Sequence, residues 1–342
     1  MKPIIITAAL ALVTAGLVPV VVAADPADPE QATKLAGQTV FLDPGHQGSN
    51  HSENLSRQVD DGRGGTKDCQ TTGMTTVNGV PEHTINWNVA QLVKASLESL
   101  GAQVVLSRQD DSGWGGCIDD RARAANDSGA TVAVSIHADS GPAAERGFHL
   151  IVPRLPIPDA KADSAQSGEG RTVSRSVRDA YVQAGFPAAG YAGVREGLQT
   201  RADVAGPALT TVPLVFLEMG NGANAEDAAV LESSSGQLEH AIALTTGIVG
   251  YLLDTPVTGV DDLPAGAPAP NDSDPETTTP ADFDPDTRTS TRPDTIETGF
   301  AERAAELLMP LLSALGKDEE AITSELIDLV YTLVATLFAP TE

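Results

Sequence analysis

The stretch Val132-Ala133-Val134-Ser135-Ile136-His137 decides the fold. A short apolar run of this kind, bounded by polar residues, reads as a strand over 131–137, and it ends on a histidine. Working outward, 39–43, 103–107, 147–152 and 213–218 read as further strands. Between them lie helical patterns at 81–100, 119–127, 172–184 and 237–253. The first of these carries Ile85, Val89, Leu92, Val93 and Leu100 on one face, opens beside Pro81 and stops at Gly101, as a helix packed on a sheet requires. Strand and helix alternate with short connections and without an internal repeat. That order predicts an α/β fold, a doubly wound and mostly parallel sheet flanked by helices.

The rest of the chain divides by composition. The 342 residues hold 21 Lys and Arg against 47 Asp and Glu, a formal net charge of −26. So acidic a chain is unsuited to grip nucleic acid or an anionic membrane by charge. Residues 1–23 pair Lys2 with an apolar run that ends in small residues, which predicts a cleaved secretory signal and an exported protein in the periplasm, cell wall or medium. An uncleaved anchor is the alternative, since the run nears the length that spans a bilayer. A short spacer, 24–35, leads into a catalytic domain at 36–254. Residues 255–299, rich in Pro, Asp and Thr, predict a disordered acidic linker.

Residues 300–342 turn apolar again with helical spacing, which predicts an amphipathic helical hairpin. Glu325 and Asp328 interrupt its second helix, so no stable membrane span is expected. Two short helices cannot bury such a face alone, which predicts self-association or a protein partner through 300–338. The two cysteines, Cys69 and Cys117, read as a disulfide in an exported protein, with two free thiols as the alternative.

In open α/β sheets ligands bind beyond the carboxyl ends of the strands. His46 lies just past the first strand, His137 and Glu218 end two others, and Glu82 sits in the first turn of the helix that starts on the same rim. Two histidines and a carboxylate make a zinc-binding set with a fourth position open, and the remaining carboxylate can serve as general base. Each residue alone has an ordinary reading as a structural or solvated strand end. The convergence of four on one rim is what points to chemistry.

The blocks Leu42-Asp43-Pro44-Gly45-His46, Pro81-Glu82-His83, Ser107-Arg108, Arg121-Ala122-Arg123-Ala124-Ala125-Asn126, Ser135-Ile136-His137-Ala138-Asp139 and Leu217-Glu218-Met219-Gly220-Asn221 follow one another in an order and spacing that resembles a known family. It is the zinc-dependent N-acetylmuramoyl-L-alanine amidases of the amidase-3 type, most nearly their small actinobacterial, mycobacterial-like members. The resemblance implies that His46, Glu82 and His137 hold one Zn²⁺, that Glu218 is the catalytic carboxylate, and that the substrate is the MurNAc–L-alanine amide of peptidoglycan, cut in wall turnover or cell separation. Asp139 stands where the wider family has Asn, and Met219-Gly220-Asn221 replaces a commoner Leu-Gly-Phe. Both departures bear on substrate preference. Arg201 and Asn221 are the candidate substrate contacts. His51, His83, His149 and His240 show no pattern and read as structural. Two other readings remain open: a binding or hydrolase-activating protein on the same fold, and a zinc peptidase acting within the stem peptide.

Overall fold

The computed structural model describes residues 34–255. The signal segment at 1–23, nearly all of the spacer, the linker past its first residue and the hairpin at 300–342 lie outside the described residues. A six-stranded sheet runs in the order β4-β1-β5-β8-β6-β7, built from β1 (Thr39–Pro44), β4 (Gln103–Leu106), β5 (Val132–Asp139), β6 (His149–Pro153), β7 (Leu198–Arg201) and β8 (Leu214–Asn221). A two-stranded hairpin, β2 (Gln58–Asp60) and β3 (Thr66–Asp68), stands apart from it. The helices α1 (Glu82–Ser99), α4 (Glu169–Gln183) and α7 (Ser234–Leu252) form the large apolar layer, in which Ile85, Val89, Leu92 and Val93 meet Val134, Ile136, Val215 and Leu217. On the opposite face, α2 (Ile118–Asp127) and α5 (Ala205–Leu209) cover Phe41, Ala133 and Leu214 more thinly. No helix among the described residues is long and apolar enough to cross a membrane.

The predicted strands and helices all form, and β4, β1, β5 and β8 are parallel. β6 runs antiparallel to β8, and β7 follows β6. The reversal has a plain cause. The connection from Asp139 to His149 is too short for the crossover that a parallel strand needs. The chain therefore turns at the rim and descends, so β6 begins where β5 and β8 end. β7, with the sequence Leu-Gln-Thr-Arg, carries no apolar run and lies at the sheet edge. Three further helices, α3 (Ala160–Ser167), α5 and α6 (Ala225–Glu232), fall in segments read from sequence as connections. α3 and α6 are each opened by a side-chain cap, Asp159 accepting from the backbone of Lys161 and Ala162, and Asn224 from that of Glu226 and Asp227.

Candidate metal centre

The rim gathers three of the four predicted residues into a triangle. His46 Nε2 lies 3.1 Å from Glu82 Oε1 and 3.2 Å from His137 Nδ1, and His137 Nδ1 is 3.1 Å from the same Glu82 oxygen. Each comes from a different element. His46 follows β1 in a left-handed conformation, φ 61°, which a bulky residue adopts at a cost in strain. The turn is held by Arg121, whose guanidinium donates to the carbonyls of Pro44 and His46. Glu82 is the first residue of α1, after Pro81 at the cap, where a helix N-terminus favours negative charge. Its Oε2 accepts from Met74 N at 2.8 Å and its Oε1 from Ala138 N at 3.1 Å. Burial opposes the charge on Glu82, and the backbone N–H groups of Met74 and Ala138 with the side-chain amide of Asn86 offset it.

The protons of this triangle are placed by its outer partners. His46 Nδ1 faces the carbonyl of Thr71 at 3.1 Å, which can only accept, so Nδ1 carries the hydrogen and Nε2 is bare. His137 Nε2 lies 3.1 Å from Ser135 Oγ, whose own hydrogen goes to Asp43 Oδ2 at 2.9 Å. With the hydrogen on Nε2, the Nδ1 lone pair faces the triangle, where Glu82 Oε1 lies 3.1 Å away. Burial keeps the His137 imidazole below its usual pKa and hence neutral. In these states two ring nitrogens present lone pairs to Glu82 Oε1, which also accepts from Ala138 N and Asn86 Nδ2, an arrangement that a cation between the three would relieve. In a tetrahedral zinc site with bonds of about 2.05 Å, donors lie about 3.3 Å apart, so the 3.1–3.2 Å edges fit one ion. Imidazole nitrogens with a carboxylate suit a first-row transition metal such as zinc or iron.

Glu218 stands beside the triangle. It is the register partner of His137 on β5 and of His149 on β6, so the three side chains form a row across the rim. Burial foremost, then the charges of Glu82 and Asp139, raise its carboxyl well above the ordinary range, with Arg201 pulling the other way. Its Oε2 is enclosed and has no hydrogen-bond partner. A carboxyl of raised pKa with an unspent oxygen is equipped to take and return a proton near neutrality. His149, which sequence reading left as structural, is the missed member of this row. It is 1% exposed, and burial pushes its pKa down to about 4.

The other candidates separate. Arg201 pairs with Asp203 through two bonds of 3.0 and 2.5 Å at the surface, while its charge still reaches Glu218 and Asp139. Asn221 is fully buried and its amide is spent on the 141–145 loop, accepting from Gly141 N and donating to the carbonyls of Pro142 and Glu145. It does not face the rim as a substrate contact would; it shapes the loop that follows His137. Among the structural histidines, His83 meets Asp111 at 2.8 Å, His51 lies against Trp114 and His240 stacks on Phe186. Cys69 and Cys117 are disulfide-bonded. The bond fixes the segment that carries Thr71, and with it the partner of His46 Nδ1.

Comparison with known proteins agrees with this geometry. Residues 40–249 match the model of the Amidase_3 family, N-acetylmuramoyl-L-alanine amidase. An N-acetylmuramoyl-L-alanine amidase of Mycobacterium tuberculosis is 41% identical over 218 residues, covering 64% of this chain and 88% of that protein. The crystal structure of the N-acetylmuramyl-L-alanine amidase Ami1 from Mycobacterium smegmatis superposes with a TM-score of 0.60 at 42% identity, over 64% of this chain and 98% of that one. Its counterpart from Mycobacterium abscessus gives the same score and identity over 99% of its length. With the family match spanning more than half the sequence and the two histidines and Glu82 joined on one rim, the chain belongs to the Amidase_3 family of N-acetylmuramoyl-L-alanine amidases.

Proposed function

We propose that the protein hydrolyses the amide joining the lactyl group of N-acetylmuramic acid to L-alanine in peptidoglycan, with one Zn²⁺ held by His46, Glu82 and His137. The observation that carries this reading is the triangle of two imidazole nitrogens and a carboxylate oxygen 3.1–3.2 Å apart with Glu218 in register beside it. A bound Zn²⁺ supplies Lewis-acid chemistry, polarising a carbonyl oxygen and making water a stronger acid. Glu218 takes the proton from the attacking water and delivers it to the departing amide nitrogen, which is a poor leaving group until protonated. The free Oε2 and the raised pKa of Glu218 suit both halves of that task.

Such a substrate lies outside the cytoplasmic membrane, which accords with the signal-like residues 1–23, and wall turnover or cell separation is the process served. The apolar spacing within 300–338 suits a contact with a second copy or a partner. The test is mass spectrometry of products from a defined muropeptide, comparing zinc-loaded protein with Glu218→Gln. Release of an intact peptide headed by L-alanine by the wild type, and a rate lower by about 10²–10⁴-fold in a variant that still holds zinc, is expected for loss of a general acid–base. Cleavage within the peptide would indicate a peptidase, and no cleavage by a zinc-loaded wild type would indicate a binding protein on this fold.

A further inference from the structure

Behind His137 runs a line of hydrogen bonds that the donor triangle does not itself contain. His137 Nε2–H donates to Ser135 Oγ at 3.1 Å, and Ser135 Oγ–H donates to Asp43 Oδ2 at 2.9 Å. The other oxygen of Asp43 accepts from Ser107 Oγ at 2.7 Å and Arg121 Nη1 at 2.8 Å. The line follows from the sheet. Asp43 and Ser135 are register partners on β1 and β5, and Ser135 precedes His137 by two residues, which puts both on one face of the strand. The same groups line a cavity of about 180 Å³ whose walls include Phe41, Ala125, Ala133, Leu214 and Phe216. In such apolar surroundings a completed hydrogen bond is strong and a missing one is costly.

We propose that Ser135 and Asp43 are positioning residues for metal binding, acting through His137: they hold its imidazole as the Nε2–H tautomer, so that Nδ1 presents its lone pair to the ion. This rests on the reading of His46, Glu82 and His137 as metal ligands. The ring's plane is set separately, by stacking on Phe216 at 4.6 Å and 7°, but stacking is indifferent to which nitrogen carries the hydrogen. Two groups distinguish the tautomers: Glu82 Oε1, 3.1 Å from Nδ1, draws a hydrogen there, and the Ser135 hydroxyl draws it to Nε2 instead. It does so because Asp43, an obligate acceptor held ionised by Arg121 and Ser107 against its burial, takes the hydroxyl's own hydrogen.

The test uses the full-length chain with ¹⁵N-labelled histidine. Long-range ¹H–¹⁵N correlation on metal-free protein reads the tautomer of His137, and competition with a chromophoric chelator reads zinc affinity. In the wild type, the Ser135 hydroxyl keeps a measurable Nε2–H population of His137 against the pull of Glu82 on Nδ1. Ser135→Ala leaves Glu82 unopposed and is expected to shift His137 toward the Nδ1–H form and to weaken zinc by about 10–100-fold, the usual consequence of removing an outer partner of a ligand histidine. Asp43→Asn weakens it similarly, and Ser135→Thr, which keeps the hydroxyl, restores both readouts. Ser107→Ala removes a bond to Asp43 outside the line and leaves the tautomer and affinity near wild type. A Ser135→Ala variant with the wild-type tautomer and wild-type affinity overturns the proposal. So does a Ser107→Ala variant as impaired as Ser135→Ala, because Asp43 would then act only as a structural hub. If wild-type protein binds no zinc, the ligand reading fails instead, and the tautomer comparison still decides the role of Ser135.

Discussion

Gly45 is where the chain leaves β1 and passes against the ring of His137, and replacing it with alanine tests the metal centre directly. A Cβ at this position lies 2.2 Å from His137 Cε1, 2.5 Å from Nδ1 and 2.6 Å from Nε2, whereas ordinary contact starts near 3.4 Å. The ring has to retreat by about 1.2 Å, several times the ~0.2 Å within which a metal–ligand distance can vary. It can do so only by abandoning Phe216 and Ser135. Gly45 does not have a positive φ, so the backbone itself accepts alanine and the effect falls on His137. We expect zinc affinity in Gly45→Ala to drop by at least the 10–100-fold typical of a lost outer partner, measured by chelator competition on folded protein. In a His137→Ala background the same substitution should cost no stability in urea melts, since the clash is gone. Wild-type zinc affinity in Gly45→Ala would refute the argument, because the ligand assigned to His137 would then not be needed where it stands.

Two further perturbations act at a distance from the donors. Replacing Cys69 and Cys117 together by alanine removes a link across 48 residues and should cost about 4 kcal/mol in the chain-entropy account. Urea unfolding measures it, and zinc affinity should fall too, because the bond anchors the segment whose Thr71 carbonyl orients His46; unchanged affinity would detach the loop from the site. His240 is enclosed, and burial pushes its pKa from 6.5 down to about 3. The unfolded chain binds this proton while the folded one does not, so the linked stability is whole above about pH 6.5 and is lost as pH falls toward 3. Between pH 7.5 and pH 5 the loss is about 2 kcal/mol at 1.36 kcal/mol per unit. His240→Phe should lack that part of the pH slope, and equal slopes for the two proteins would contradict the burial argument.

The strands that carry His46, His137 and Glu218 were legible because each is a continuous apolar run closed by a polar residue, and burial on both faces demands such runs. The side of the sheet that carries His149 was not. A strand reversed by a short connection has the same composition as a parallel one, so nothing in 147–152 announces that its first residue, and not its last, lies at the rim. Asn221 shows a second limit. Proximity to Glu218 in sequence suggested a shared role, but the β5–β8 pairing shifts register between the two residues, and Asn221 is buried with its amide bound to the 141–145 loop.

The distribution of satisfied and unsatisfied groups divides the rim into a holding half and an acting half. On the β1–β5 side, Asp43, Ser135, Arg121, His46 Nδ1 and Glu82 Oε2 all have partners at hydrogen-bond distance. Gln47 Oε1 and Asn86 Oδ1 on that side lack partners, while His46 Nε2, His137 Nδ1 and Glu82 Oε1 converge on one point. On the β8–β6 side, Glu218 Oε2 and His149 Nδ1 are enclosed without partners, at a cost of about 1–3 kcal/mol each. A fold retains such a cost where function needs an unspent atom. In the proposed mechanism that atom of Glu218 exchanges the proton, and a hydrogen-bond donor satisfying it would also lower its pKa and blunt it as an acid. The outer bonds that fix the donors and the missing bonds that leave Glu218 free are therefore two requirements of one hydrolytic site, met on adjacent strands in register.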